Sequence, residues 1–163
     1  LKMKNTFAYS KDKMSNVVSG HLNINNILTT NNKSQITVET IPADGIISNA
    51  IDLTIWDNNL HNRKILNPKS YELMTSATVM AQHNVFGKEK VGYGYGIRIS
   101  DNEKAKYFGH TGLGDGFASM NLYLPKEKIS IIVIENQMTE KIDNAYYFGT
   151  EIKKIVLKSE LIN

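Results

Sequence analysis

The stretch from Tyr107 to Gln137 constrains the fold of this chain more than any other, because it reads as three consecutive β-strands with almost nothing between them. Residues 107–117 make the first, 118–125 the second and 129–137 the third, with Pro125-Lys126-Glu127-Lys128 as a tight connection. Strands joined this closely pair antiparallel, so the segment is predicted to be a meander. The first strand carries a polar triplet, His110-Thr111-Gly112, between glycines and in front of two more apolar strands. Such residues add little to packing, and a small, exposed, glycine-flanked strand makes a good substrate-facing edge.

Upstream, residues 1–40 are polar and lack a regular period. The Asn- and Thr-rich tract 23–34 reads as a loop or hairpin, and the alternation over 36–40 as a short strand before Pro42. From Ser48 the period turns helical. Ser48 is the predicted N-cap of an amphipathic helix over 48–60, with Ile51, Leu53, Ile55 and Trp56 on its apolar stripe and Trp56 in the core. Asp52 falls in the first turns, where the helix dipole favours a carboxylate. Asn67 caps a second helix with Pro68 in its first turn, running to Ala77 or Met80. Residues 91–100 alternate with glycines and read as a strand that a neighbour approaches closely. Residues 143–158 place Tyr146, Tyr147, Ile152, Ile155, Val156 and Leu157 at near-helical spacing behind Asp143 or Asn144 as cap, with a face to lay on the sheet. The expected fold is α+β: an antiparallel sheet packed with a C-terminal helix plus a partial helical region, in one domain over residues 1–163.

With 41% apolar and 21% charged residues, nothing in the composition suggests disorder. The net charge is +3, but the lysines are scattered and Arg63 and Arg98 are the only arginines, so no nucleic-acid footprint is formed. A mild attraction to an anionic cell-wall polymer or membrane surface is compatible with that charge. The absence of cysteine removes disulfides, zinc-thiolate sites and thiol catalysis. His21, His61 and His83 lie far apart without ligand spacing and read as surface residues, so neither metal nor cofactor is expected. No apolar run approaches the ~20 residues of a membrane span. The segment Gly112-Leu113-Gly114-Asp115-Gly116 lacks the Lys-Ser/Thr of a phosphate loop and reads as a glycine-rich strand connection, with Asp115 forming the turn.

Read with its surroundings, the triplet resembles the third motif of the serine β-lactamase and penicillin-binding-protein superfamily, Lys-Thr-Gly, or His-x-Gly in its class C-like esterase and DD-peptidase branches. The likeness runs along the chain in the family's order. Residues 42–56 resemble the helix entry A-x-G-G-x-x-S-T-x-x-D-L-x-x-W, and Ile65-Leu66-Asn67-Pro68 through Met74 is similar to L-l-s-p-e-s-x-x-x-M. Tyr93-Gly94-Tyr95-Gly96-Ile97 resembles Y-G-y-G-w, Leu124-Pro125 with 131–136 resembles the closing strand, and Leu1-Lys2-Met3-Lys4-Asn5-Thr6 looks like L-G-M-x-x-T. In the family the nucleophile motif Ser-x-x-Lys and the second motif Tyr-x-Asn or Ser-x-Asn precede that last segment. The resemblance therefore implies roughly the C-terminal half of the family domain.

The implied function is a serine hydrolase acting through an acyl-enzyme on D-alanyl peptide, ester or β-lactam substrates, with His110, Thr111 and Gly112 holding the substrate and the Leu113 N–H completing the oxyanion hole. Histidine in place of lysine leans toward the peptidase and esterase branches. Thr111 offers a hydroxyl, and Gly112 leaves room for a substrate backbone. The one Ser-x-x-Lys, Ser10-Lys11-Asp12-Lys13, is of the frequency expected by chance for 11 serines and 17 lysines, and its polar surroundings cannot lower a lysine pKa. No Tyr-x-Asn occurs. The alternative is a catalytically inactive fragment or truncated homologue serving as a binding or partner module. A partial domain would expose a strand edge and an apolar face, so self-association is expected. The family resemblance further implies an extracytoplasmic protein, with membrane or cell-wall association supplied by the segment that precedes these residues.

Overall fold

The computed structural model describes residues 1–83, 90–101, 105–139, 141 and 144–162. In chain order they form β1 (Phe7–Ala8), a 3-10 turn (Lys11–Asn16), β2 (His21–Ile24), β3 (Ile27–Thr30), α1 (Ile41–Asp44), β4 (Ile46–Ile47) and α2 (Ala50–His61). There follow α3 (Pro68–Met74), β5 (Val79–Met80), β6 (Gly92–Tyr93), β7 (Arg98–Asp101), β8 (Lys106–Gly114), β9 (Phe117–Leu124), β10 (Ile129–Glu135), β11 (Gln137–Thr139) and α4 (Tyr147–Lys158). The architecture is the expected α+β one.

The predicted meander is present as β8, β9 and β10, inside an antiparallel sheet of order β10-β9-β8-β7-β6-β5. The triplet strand is therefore not the first of the antiparallel run, since β7 lies beside it. The register shows why the edge survives. Strand β7 covers only Lys106 to Gly109, ending on the pair Arg98↔Gly109, so residues 110–114 are, among the described residues, paired with β9 alone. Asp115 and Gly116, at φ 52° and 83°, close the β8–β9 hairpin in the left-handed conformation such two-residue turns require. Asp115 also accepts hydrogen bonds from Ser34 Oγ (2.5 Å) and the Gln35 N–H (2.8 Å), which tie the preceding loop to the hairpin tip.

The two faces of the sheet carry separate cores. On one, Tyr107, Met120, Leu122, Leu124 and Ile131 pack under Val156 and Leu157 of α4. Gly149 lets this helix approach closely, because a Cβ there would stand 2.8 Å from Met120 Cε. On the other, Ile97, Ile99, Phe108 and Tyr123 pack against Met74 of α3. A smaller sheet, β11-β2-β3, joins the N-terminal hairpin to the end of the meander, with Asn25 and Asn26 at positive φ in its turn.

Several expectations are corrected. Residues 36–40 form no strand; the Thr37 carbonyl and Thr40 hydroxyl instead close a turn that leads into α1. The cap of α2 is Asn49, whose Oδ1 accepts the Asp52 N–H at 2.8 Å. Ser48 is drawn away, its hydroxyl lying 2.8 Å from Thr6 Oγ1. The buried face of α2 consists of Asp52, Asp57 and Leu60, whereas Ile51 is 75% and Trp56 37% exposed, so Trp56 is not a core residue. Helix α3, capped by Asn67 as predicted, stops at Met74. Residues 91–100 are a hairpin, β6 and β7, turning at Gly96 with φ 69°. A Cβ on Gly94 would collide with the Met74 carbonyl, which is the close approach its sequence implied. Helix α4 begins at Tyr147 without a side-chain cap; Asn144 lies before it, and Asp143 falls outside the described residues.

Candidate active site

The half of β8 that β7 leaves uncovered carries His110, Thr111, Gly112 and Leu113 in succession. Alternate residues of a strand point their backbone N–H and C=O groups to opposite edges, so half of this segment's hydrogen-bonding groups face away from β9. An extended ligand can use them as a further strand would. Thr111 is buried, while Gly112 and Leu113 are exposed.

His110 is held by both ring nitrogens. Its Nδ1 lies 2.7 Å from the Thr111 carbonyl and its Nε2 2.9 Å from the Tyr93 hydroxyl, with the two rings edge-on at 5.8 Å. A carbonyl only accepts, so Nδ1 carries a proton. Burial first, then the nearby Arg98 guanidinium, lowers the His110 pKa, against an opposing contribution from the Thr111 carbonyl. The ring is consequently neutral at physiological pH, and its Nε2 accepts from Tyr93. Arg98, 8% exposed on β7, donates from Nη1 to Thr111 Oγ1 at 3.2 Å and lies 5.8 Å from the Tyr93 ring centre. The Thr111 hydroxyl is therefore already engaged from within the protein. The triplet is thus a connected unit, Tyr93–His110–Thr111–Arg98, assembled from three adjacent strands.

Sequence reasoning missed Tyr93 and Arg98 as parts of this unit, and a second group behind it. Asn121, opposite His110 in the β8–β9 register, donates to Asp57 Oδ1 of α2 at 2.9 Å. Asp57 is 2% exposed and burial raises its pKa against opposing hydrogen bonds from Asn121 and Ser130, while Asn121 Oδ1 has no hydrogen-bond partner among the described residues. His61, expected on the surface, is stacked on Tyr123 at 3.8 Å and bonds the Tyr71 hydroxyl at 2.8 Å. Burial lowers its pKa to about 4. It is a neutral packing residue at the junction of α2, α3 and the sheet.

Ser10 and Lys13 do not form a dyad. The Ser10 hydroxyl donates to the Asp12 carboxylate, and the Lys13 ammonium sits over the Phe7 ring at 5.7 Å. Two open cavities, about 580 and 570 Å³, are lined by other segments, one around Phe7 and Ser48 and one around Asn23 and Tyr147. Neither of these two cavities is lined by residues 110–113.

The resembling N-terminal and helix-entry segments do meet. Asp52 Oδ2 accepts the Asn5 N–H and the Thr6 hydroxyl, both at 2.8 Å, which fastens the first residues to the start of α2.

Comparison with protein families matches residues 1–149 to the beta-lactamase family. Among solved structures, the chain is similar to a penicillin-binding protein from Bacillus halodurans, with a TM-score of 0.67 at 15% identity, over 93% of this chain and 44% of that one. It is likewise similar to a D-amino acid amidase from Ochrobactrum anthropi SV3 (TM-score 0.69, 18% identity, 97% of this chain and 50% of that one). A D-stereospecific amidohydrolase from Streptomyces sp. gives a TM-score of 0.63 at 18% identity, over 91% and 45%. At such identities the likeness is one of fold, and the chain spans half or less of each of these structures. The curated proteins contain no match in sequence.

Proposed function

Because the chain belongs to the beta-lactamase family, we propose that it supplies the substrate-holding wall of a serine hydrolase that acts through an acyl-enzyme on D-alanyl peptides or D-amino-acid amides or esters. The observation that carries the reading is the register of β7 against β8, which leaves His110-Thr111-Gly112 on a strand edge open to an extended ligand. A substrate backbone can pair there, Gly112 presenting no side chain to keep it off.

In this reading a serine oxygen attacks the substrate carbonyl, and its proton passes to a lysine- or tyrosine-type base. The Leu113 N–H, together with that of the nucleophile, stabilises the oxyanion. Collapse expels the amine or alcohol, and water releases the acyl group. With Ser10 bonded to Asp12 and Lys13 turned to Phe7, the proposal assigns nucleophile and base to polypeptide other than these residues. An extracytoplasmic location suits such substrates; no helix among the described residues is long and apolar enough to cross a membrane.

The same Ser10 geometry favours a second reading for the chain by itself, a partner module without turnover of its own. Both are tested by assaying p-nitrophenyl acetate and D-alanine p-nitroanilide hydrolysis with the chain alone and with a polypeptide carrying Ser-x-x-Lys and Tyr-x-Asn. The expected outcome is no turnover alone and turnover after complementation, lost in His110→Ala. Turnover by the chain alone that Ser10→Ala abolishes refutes the assignment, and a bound but silent complement leaves the partner module.

A further inference from the structure

We infer that Tyr93 is a positioning residue that locks His110 as an uncharged, Nδ1-protonated imidazole with Nε2 already engaged, so that this wall receives the uncharged end of a substrate and selects against a carboxylate there. The inference rests on the proposed hydrolase reading for its substrate class; the lock itself rests on the two hydrogen bonds of the ring together with its burial beside Arg98, which disfavour the charged form.

With Nδ1–H given to the Thr111 carbonyl at 2.7 Å, the Tyr93 hydroxyl at 2.9 Å has one role open to it beside a neutral ring, that of donor to Nε2. A donor to the basic nitrogen stabilises the neutral form, and removing it makes protonation easier. The charged group near the ring acts in the same direction. Arg98 of β7 is a fixed cation beside it, so an imidazolium would place two positive charges together. Asn121, across the register on β9, brings no charge of its own and is held by Asp57, whose pKa burial raises. Arg98 does not substitute as a carboxylate receptor, because it is 8% exposed and its Nη1 bonds Thr111 Oγ1. A substrate carboxylate arriving at residues 110–113 therefore meets backbone groups and a neutral ring, with no exposed cation of the triplet to offset its desolvation. An amide or ester carbonyl carries no such cost.

The test is nitrogen-detected NMR of the histidine side chains in the chain as it stands, wild type against Tyr93→Phe, through a pH titration. The expected result at pH 7.5 is a pyrrole-like Nδ1 and a pyridine-like Nε2 for His110, with a midpoint below the ordinary 6.5. Tyr93→Phe should raise that midpoint by about half to one unit, the equivalent of one hydrogen bond, while urea unfolding and dichroism report an intact fold. An Nε2-protonated ring, or a midpoint that Tyr93→Phe leaves in place, overturns the lock. In parallel, N-acetyl-D-alanine and its amide are titrated against the amide signals of Gly109 to Leu113. The selection predicts that at pH 7.5 the amide binds at least as tightly, and that the acid gains only as His110 protonates. Acid binding tenfold tighter at pH 7.5, or no binding of either ligand at millimolar concentration, overturns the selection. None of these readings depends on turnover, so failure of the hydrolase reading in the complementation assay is seen separately.

Discussion

His61 gives the clearest quantitative prediction, an acid-linked loss of stability. Its ring is stacked on Tyr123 and bonded to Tyr71, and burial lowers its pKa from 6.5 to about 4. Above pH 6.5 the ring is neutral in both folded and unfolded chains and the linkage contributes nothing. As pH falls through 6.5 the unfolded chain binds a proton that the folded one refuses, so stability drops until about pH 4, below which both are protonated and the loss stays constant. At 1.36 kcal/mol per unit the shift corresponds to about 3 kcal/mol, and solvent contact along one side of the ring reduces this to about 1–2 kcal/mol. His61→Phe retains the stacking plane while removing the titration. It should cost about 1 kcal/mol at pH 7.5 for the lost Tyr71 bond and then show a flatter acid limb than wild type. Asp57, with its raised pKa, acts in the opposite direction, since its protonation favours the folded state. That contribution is common to both proteins and cancels in the comparison. Urea unfolding at pH 7.5, 6, 5 and 4 measures the difference, and parallel acid limbs for the two proteins would refute the reasoning.

Other positions give sharp expectations. Asp52→Ala removes the acceptor of the Asn5 N–H and Thr6 hydroxyl and should destabilise by about 2–3 kcal/mol, with limited proteolysis opening first within residues 1–10. Asn49→Ala should cost about 1 kcal/mol as a lost helix cap, whereas Ser48→Ala should leave the helicity of α2 measured by dichroism unchanged. Gly94→Ala forces a Cβ onto the Met74 carbonyl and should cost about 2 kcal/mol or more in thermal unfolding, separating α3 from the β6–β7 turn. Strand β3 is an edge carrying Ile27 and Leu28 at 66% and 54% exposure, and we expect the chain to self-associate through it; light scattering should return Leu28→Lys to the monomer mass, and a wild type that is monomeric at 100 µM counts against the expectation.

What the sequence made legible was decided by chemistry acting over a few residues. Strand alternation and the left-handed Asp115-Gly116 turn are local, so the meander could be read directly, while the Asn25-Asn26 hairpin was legible only as one of two alternatives, loop or hairpin. Asn67 could be read as a cap because the donor to its Oδ1, the Ser70 N–H, is three residues away. Ser48 could not be separated from Asn49, since both residue types cap helices and the choice depends on Thr6, whose hydroxyl draws Ser48 off. The orientation of α2 was hidden for a stronger reason. Hydrophobic periodicity assigns Ile51 and Trp56 inward, but the inward positions belong to Asp52 and Asp57, whose burial is tolerable only through partners on distant segments, Asn5, Thr6 and Asn121.

The same limit governs the candidate site. His110 announced itself as a polar residue on a strand, and a histidine's near-neutral pKa leaves its charge open when the sequence is read alone. The charge state is set elsewhere: by Tyr93, which reaches the ring from another strand, and by Arg98, which fixes positive charge behind Thr111. Tyr93 was legible only as the start of a glycine-rich strand segment and Arg98 as one of two arginines, because their effect comes from the pairings Tyr93↔Arg98 and Arg98↔Gly109 that lay β6, β7 and β8 side by side. A reading of the triplet alone therefore names His110 without the two neighbours that set its hydrogen bonding. Whether the imidazole carries a charge is decided by burial and by these two neighbours, which lie 17 and 12 residues before it in the chain.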